Sequence, residues 1–259
     1  MTFRTAALTV LLALAPVATQ AKLVTKEVPY EHDGTKLVGY LAYDDKYDTP
    51  RPGVLVVHEW WGLNDYARKR TEMLAELGYV AFALDMYGEK VTQHPKEAGE
   101  WSGAIRSNVK QWRERALSGL NVLTAQDNVD SENVAAIGYC FGGSTVLQMA
   151  FAGEKLKAVV TFHGGLVVPS EEEADDIETA VLVCHGASDS FIPEKTAQEF
   201  REALTKADVD WMMVYYANAK HGFTNPGADD YGLPPLAYNK KADKRSWTDM
   251  KSFLKEKLK

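Results

Sequence analysis

Four residues of this 259-residue sequence carry readable chemistry: Cys140, Asp189, His221 and Glu59. Cys140 is the centre of Gly138-Tyr139-Cys140-Phe141-Gly142-Gly143, a G-x-C-x-G arrangement directly after the apolar residues 134–137. A strand that turns sharply into a helix crowds its own backbone. Small neighbours must therefore flank a central residue held strained and exposed, a place serine usually fills. The N-terminus of the following helix favours negative charge, and with it the thiolate that makes cysteine a nucleophile. Ser144 is no rival, because its neighbours do not form G-x-S-x-G.

A thiolate nucleophile needs a base, and the base needs an orienting group. Asp189 ends Gly186-Ala187-Ser188-Asp189, in the loop after the apolar residues 181–183. His221 stands in Asn218-Ala219-Lys220-His221-Gly222-Phe223, after residues 211–215. The chain order nucleophile, acid, histidine is that of the α/β-hydrolases. Glu59 follows residues 54–57 in His58-Glu59-Trp60-Trp61-Gly62, where that fold places the loop donating the second oxyanion N–H. A carboxylate in so dry a place is costly unless it has a role, such as accepting a hydrogen bond or a proton from the thiol.

The elements that must position these residues follow from the apolar pattern. Residues 23–30 and 37–43 read as an antiparallel strand pair joined at Asp33-Gly34, the second with rough apolar–polar alternation. Residues 54–57, 80–84, 134–138, 158–162, 181–183 and 211–215 read as further strands, and the continuous run at 54–57 is typical of burial on both faces. Asn64 is an N-cap candidate for a helix with Met73, Leu74 and Leu77 on one face, stopped by Gly78. Residues 96–125 are expected to be mostly helical, with Trp101, Ile105, Trp112, Leu117 and Leu120 toward the core; further helices are expected at 144–151, 193–206 and 244–258. The alternation predicts one α/β domain with a mostly parallel central sheet flanked by helices and antiparallel strands at its start. On such sheets ligands bind beyond the carboxyl ends of the strands, where all four candidates lie.

Taken together, the glutamate segment at 58–62, the cysteine elbow at 138–143, Gly186 to Asp189 with Pro193, and His221-Gly222-Phe223 resemble the dienelactone hydrolase family over residues 27–258. The resemblance implies an α/β-hydrolase fold and hydrolysis of ester or lactone bonds. It implies Cys140 as nucleophile, His221 as general base and Asp189 as its orienting acid. It also implies that Glu59 pairs with Cys140 at rest, and that the Phe141 and Trp60 amides form the oxyanion hole. Two features depart from the family pattern: the arginines that classical members use, and an apolar start unlike that of the cytosolic classical enzymes. Arginines that hold a substrate carboxylate are missing shortly after His221, where Thr224-Asn225-Pro226 stands, and near residues 98–101; Arg106 and Arg113 are the nearest replacements. The same triad could serve a thioesterase or peptidase, and a catalytically inactive binding protein is the non-enzyme alternative.

The chain is 46% hydrophobic and 25% charged, ordinary for a globular protein, and its net charge of −7 argues against a nucleic-acid partner. His58, His163, His185 and His221 show no metal-binding spacing, so no metal and no cofactor is expected. Among them, His185 reads as structural, and His163 as either structural or pocket-lining. The partners expected are a small ester or lactone and, at most, a second copy of the chain.

The start of the sequence differs in character. Arg4 is followed by the almost wholly apolar residues 6–17, and Thr19-Gln20-Ala21 supplies small residues at −3 and −1. That is the layout of a secretory signal peptide cleaved after Ala21, implying a periplasmic or secreted enzyme. A membrane anchor is the alternative, but the run falls short of the ~20 residues a span needs. Cys140 and Cys184 are the two cysteines, and in an oxidising compartment they could form one disulfide.

Overall fold

The computed structural model of the protein describes residues 22–258, so the expected signal peptide lies outside the described residues. β1 (Leu23–His32) and β2 (Thr35–Asp44) form an antiparallel hairpin. Its tip, Asp33-Gly34, has positive φ at both positions, the geometry that lets a two-residue turn match the twist of its strands. β2 also pairs antiparallel with β4 (Val80–Leu84). From there the sheet is parallel, through β3 (Arg51–Val57), β5 (Val129–Tyr139), β6 (Ala158–Phe162), β7 (Ala180–Gly186) and β8 (Trp211–Tyr216). The eight strands lie in the order β1-β2-β4-β3-β5-β6-β7-β8.

Helices cover both faces, which is why the central strands are apolar at every position rather than at every second one. On one face Leu55, Val57, Phe82 and Leu84 pack in a single cluster with α3 (Val109–Thr124), α4 (Phe141–Phe151) and α6 (Glu194–Lys206). On the other, Val54, Val56, Ala81 and Ala83 join α1 (Asp65–Glu76) and α7 (Lys240–Lys257). α2 (Pro95–Arg106) and the short α5 (Glu171–Asp175) complete the fold, with a 3-10 turn at Ala228–Tyr231. Among the described residues no helix is long and apolar enough to cross a membrane.

The α/β-hydrolase architecture is the one the sequence predicts, with local differences: β5 begins at Val129 rather than at 134, and α5 and the 3-10 turn are not among the expected elements. The expected helical stretch at 96–125 is two helices, broken at Ser107-Asn108, where the Asn108 side chain accepts from Gln111 N and starts α3 anew. Of its expected core residues, Trp112 and Leu120 are buried, while Trp101, Ile105 and Leu117 pack half-buried against the cluster. The helix after the elbow begins at Phe141, not Ser144, so its first free amides lie beside Cys140. α7 begins at Lys240, capped by the Asn239 side chain on Ala242 N.

Candidate active site

The loops at the carboxyl ends of the strands converge: Glu59 follows β3, Cys140 β5, His163 β6, Asp189 β7 and His221 β8. Cys140 has φ 52° and ψ −113°, a conformation that L-residues adopt only when their surroundings impose it. Two glycines make it attainable. A Cβ on Gly138 would lie 2.0 Å from Gly142 O, and one on Gly142 would lie 2.2 Å from Val57 O. The elbow is anchored by the Cys140 amide, which donates to Phe162 O at 3.0 Å. The Cys140 side chain is half-buried, and both it and the buried Cys184 are free thiols, so the disulfide alternative does not hold here. Ser144 is buried and its hydroxyl donates to Gly165 O at 3.0 Å, which leaves it no nucleophilic role.

His221 is buried, and its Nδ1 lies 2.8 Å from Asp189 Oδ2. Asp189 Oδ1 accepts the Phe191 amide at 2.9 Å, so both carboxylate oxygens are engaged and the group cannot rotate freely. The turn carrying Asp189 is tied to the exit of β8 by Ala187 N to Tyr216 O and Ser188 N to Ala219 O. The histidine loop is tied in turn to the segment before α7, by Ala237 N to His221 O and Asn239 N to Phe223 O. The far side of the imidazole is within hydrogen-bonding reach of the Cys140 thiol. Burial works against the imidazolium form, but Cys140 and Asp189 outweigh it and push the His221 pKa up to about 10. The imidazole thus lies between a carboxylate that orients it and a thiol that interacts with it, both of which favour its protonated form.

Glu59 is buried, and burial pushes its pKa up to about 7, against the opposing pull of Asn225, His221 and Arg70. The partner of Glu59 differs from the one the resemblance implies: Oε2 accepts from Asn225 Nδ2 at 2.6 Å, while the polar group facing Cys140 is His221. Asn225 is held by its other end, Oδ1 accepting from Gly227 N at 2.9 Å. The main chain of Glu59 is fixed by His58. Its Nε2 accepts from Met86 N at 3.2 Å, so the proton is on Nδ1, which donates to Glu59 O. Burial holds this imidazole neutral, as that arrangement requires. Neither the Phe141 amide, at the start of α4, nor the Trp60 amide donates to another group among the described residues.

The other candidates sort clearly. His185 is buried edge-on against the Tyr215 ring and takes no part in the triad. His163 is buried beside His221, ring centroids 5.2 Å apart, and its Nε2 lies 2.7 Å from Thr224 Oγ1. Arg113 is occupied by Glu173 and Gln148. The Arg106 guanidinium lies 5.3 Å from the centroid of the Phe141 ring, next to the elbow. A surface hollow of about 670 Å³, lined by Glu132, Lys155, Lys157, Asp176 and others, lies at the opposite ends of the strands, away from the thiol.

With this geometry in place, comparison with known proteins decides the family. Residues 37–258 match the model of the dienelactone hydrolase family. The chain belongs to that family. It is accordingly a dienelactone hydrolase-like hydrolase. Among solved structures it is similar to a dienelactone hydrolase-like promiscuous phosphotriesterase, P91, from metagenomic libraries: 40% identity, TM-score 0.89, over 92% of this chain and 99% of that one. Among curated relatives, Protein usf of Aquifex pyrophilus is 28% identical over 89% of this chain and 98% of its own length. A candidate carboxymethylenebutenolidase from Synechocystis sp. is 28% identical over 91% and 98%. Sequence reading missed the roles of Asn225, His58, Thr224 and Arg70 in this dienelactone hydrolase-family site. Asn225 and Glu59 are 166 positions apart, and no local pattern announces a pairing of that span.

Proposed function

We propose that the protein hydrolyses carboxylic ester or lactone bonds through an acyl-enzyme on Cys140. The observation that carries this reading is His221, bonded through Nδ1 to Asp189 and facing the thiol of a residue strained into a glycine-lined elbow. The thiolate attacks the carbonyl carbon, forming the C–S bond, and the carbonyl electron pair moves to oxygen. The Phe141 and Trp60 amides receive that oxyanion, a contribution of ~3–4 kcal/mol for such donors. On collapse the C–O bond breaks and the His221 imidazolium gives its proton to the leaving alkoxide. The neutral imidazole then takes a proton from water, which attacks the thioester and releases the acid and the thiol.

Glu59 has a regulatory place in this scheme. With a pKa pushed up to about 7, its charge is set by small changes around neutrality, and ionised it favours the imidazolium next to the thiolate. Arg106, 5.3 Å from the centroid of the Phe141 ring, is the cation we assign to a polar or anionic substrate group. The apolar residues before Lys22 support a periplasmic or secreted location.

The test is a Cys140→Ala protein assayed on p-nitrophenyl esters, lactones and acyl thioesters. Loss of ester turnover, with an acyl adduct at position 140 in the wild type by mass spectrometry, is the expected outcome. Full esterase activity without the thiol sinks the mechanism. A second reading rests on one observation, the 40% identity to a protein named as a promiscuous phosphotriesterase. On that reading the same thiolate attacks phosphorus, and a p-nitrophenyl phosphotriester added to the panel distinguishes it.

A further inference from the structure

Three residues beyond His221, the chain makes a polar crossing that the catalytic scheme does not use. Thr224 is buried and all its polar atoms but its amide are engaged from other elements. Its carbonyl accepts from Arg70 Nη2 of α1 at 2.6 Å. Its hydroxyl lies 2.7 Å from the Tyr66 hydroxyl of α1 and 2.7 Å from His163 Nε2 after β6. Arg70 is itself buried. It pairs with Asp243 of α7, Nη2 to Oδ1 at 2.5 Å, and its guanidinium lies 5.2, 5.6 and 5.3 Å from the ring centroids of Tyr66, Tyr139 and Trp247. A charge taken this far from water is tolerated only when its geometry is over-determined, and here one carboxylate, one carbonyl and three aromatic rings determine it.

What the crossing holds is short. Residues 221–225 contain His221 at one end and Asn225, the partner of Glu59, at the other. We propose that Arg70 is a positioning residue for this segment, setting through the Thr224 carbonyl both the base and the partner of Glu59. The inference rests on the catalytic reading given above and extends it to a residue that touches neither substrate nor nucleophile. Arg70 also acts through its charge, which draws the Glu59 pKa down. The other groups that interact with Glu59 are His221 from the loop after β8, which does the same, and the tyrosines Tyr66 of α1, Tyr139 of β5 and Tyr231 of the 3-10 turn. Burial pushes those phenols upward, so they stay neutral near pH 7, and Arg70 is the one permanently charged group among these neighbours.

Two variants of the full chain test this. Arg70→Lys keeps the charge, but its ammonium ends short of Nη2, the atom that contacts both Thr224 O and Asp243 Oδ1, and it lacks the planar group set among three aromatic rings. Arg70→Met combined with Asp243→Leu removes the pair without stranding either charge. The expected results are a kcat about tenfold lower in both, with KM unchanged, since a small displacement of a catalytic group costs turnover rather than binding. The acid limb of the kcat/KM profile stays in place for Arg70→Lys and moves to higher pH for the double variant. A merely structural role would lower the melting temperature without moving that limb. Wild-type kcat and an unmoved limb in both folded variants overturn the proposal; if the double variant does not fold, wild-type kcat in Arg70→Lys overturns it alone. The Cys140→Ala protein separates the two levels. Its inactivity alongside unaffected Arg70 variants sinks only the positioning role, whereas its full activity sinks the triad reading beneath it.

Discussion

Glu59→Gln is expected to stabilise the protein while damaging it as an enzyme. The side chains are isosteric, and a glutamine oxygen can still accept from Asn225 Nδ2, now at 2.6 Å from the carboxylate. What changes is the need to hold a charge in a dry place. Burial raises the Glu59 pKa from 4.5 to about 7. A carboxyl with a raised folded-state pKa binds its proton more tightly folded than unfolded. Its favourable contribution is therefore complete below pH 4.5 and is lost as the pH rises through 7. At about 1.4 kcal/mol for each tenfold change in proton affinity, the ionised carboxylate costs the fold ~3 kcal/mol above pH 7. Glutamine carries no such cost. Urea unfolding of both proteins at half-unit intervals from pH 4 to pH 8.5 measures the difference directly. The variant gains little at the acid end, gains steadily between pH 4.5 and 7, and holds a plateau of ~2–3 kcal/mol beyond. A difference that does not change with pH refutes the reasoning, because it means Glu59 is as easily ionised inside the protein as outside. In the same samples the kcat for ester hydrolysis falls, so that stability and turnover move in opposite directions at one residue.

Other outcomes follow from the same geometry. Asp189→Asn leaves His221 Nδ1 facing an amide that can present its N–H, which disturbs the tautomer the base needs; kcat drops by ~10²–10⁴-fold in steady-state assays with little change in KM. Iodoacetamide near neutral pH labels Cys140 in the native protein and not Cys184, whose thiol is buried and pushed up to about 12; peptide mapping that finds Cys184 labelled before unfolding, or bonded to Cys140, contradicts this. Expression with the full leader gives a periplasmic or secreted product whose N-terminal sequencing begins at Lys22; an intact Met1 rejects the export reading.

The sequence revealed the fold and the positions of the candidate trio because both rest on local patterns. A strand buried on both faces is apolar throughout, as at Val54 to Val57, and an elbow needs its glycines within four residues of the nucleophile. The break between α2 and α3 was harder to see, since Ser107-Asn108 interrupts the helical pattern only briefly and the apolar positions on either side face the same cluster. The polar contacts around Glu59, Thr224 and Arg70 left no local trace at all. Arg70 and Thr224 are 154 positions apart, and each reads in isolation as an ordinary helix-surface or loop residue. Only the packing of α1 beneath the histidine loop makes them neighbours.

Position 225 shows how much can turn on one such long-range contact. An arginine there would sit against Glu59 as a permanent opposite charge and hold the carboxyl ionised throughout the working range. Asparagine supplies a donor at the same oxygen but no charge. One amide hydrogen bond offsets only part of the desolvation, so burial dominates and the carboxyl titrates near 7. On the proposed mechanism, asparagine also leaves position 225 without a cation for an anionic substrate group, and Arg106, 5.3 Å from the centroid of the Phe141 ring, is the guanidinium beside the elbow. Charge recognition and the ionisation of Glu59 are thus linked through one side chain. On the proposed mechanism, a change at 225 that alters which substrates bind is expected also to shift the pH range over which Glu59 is ionised.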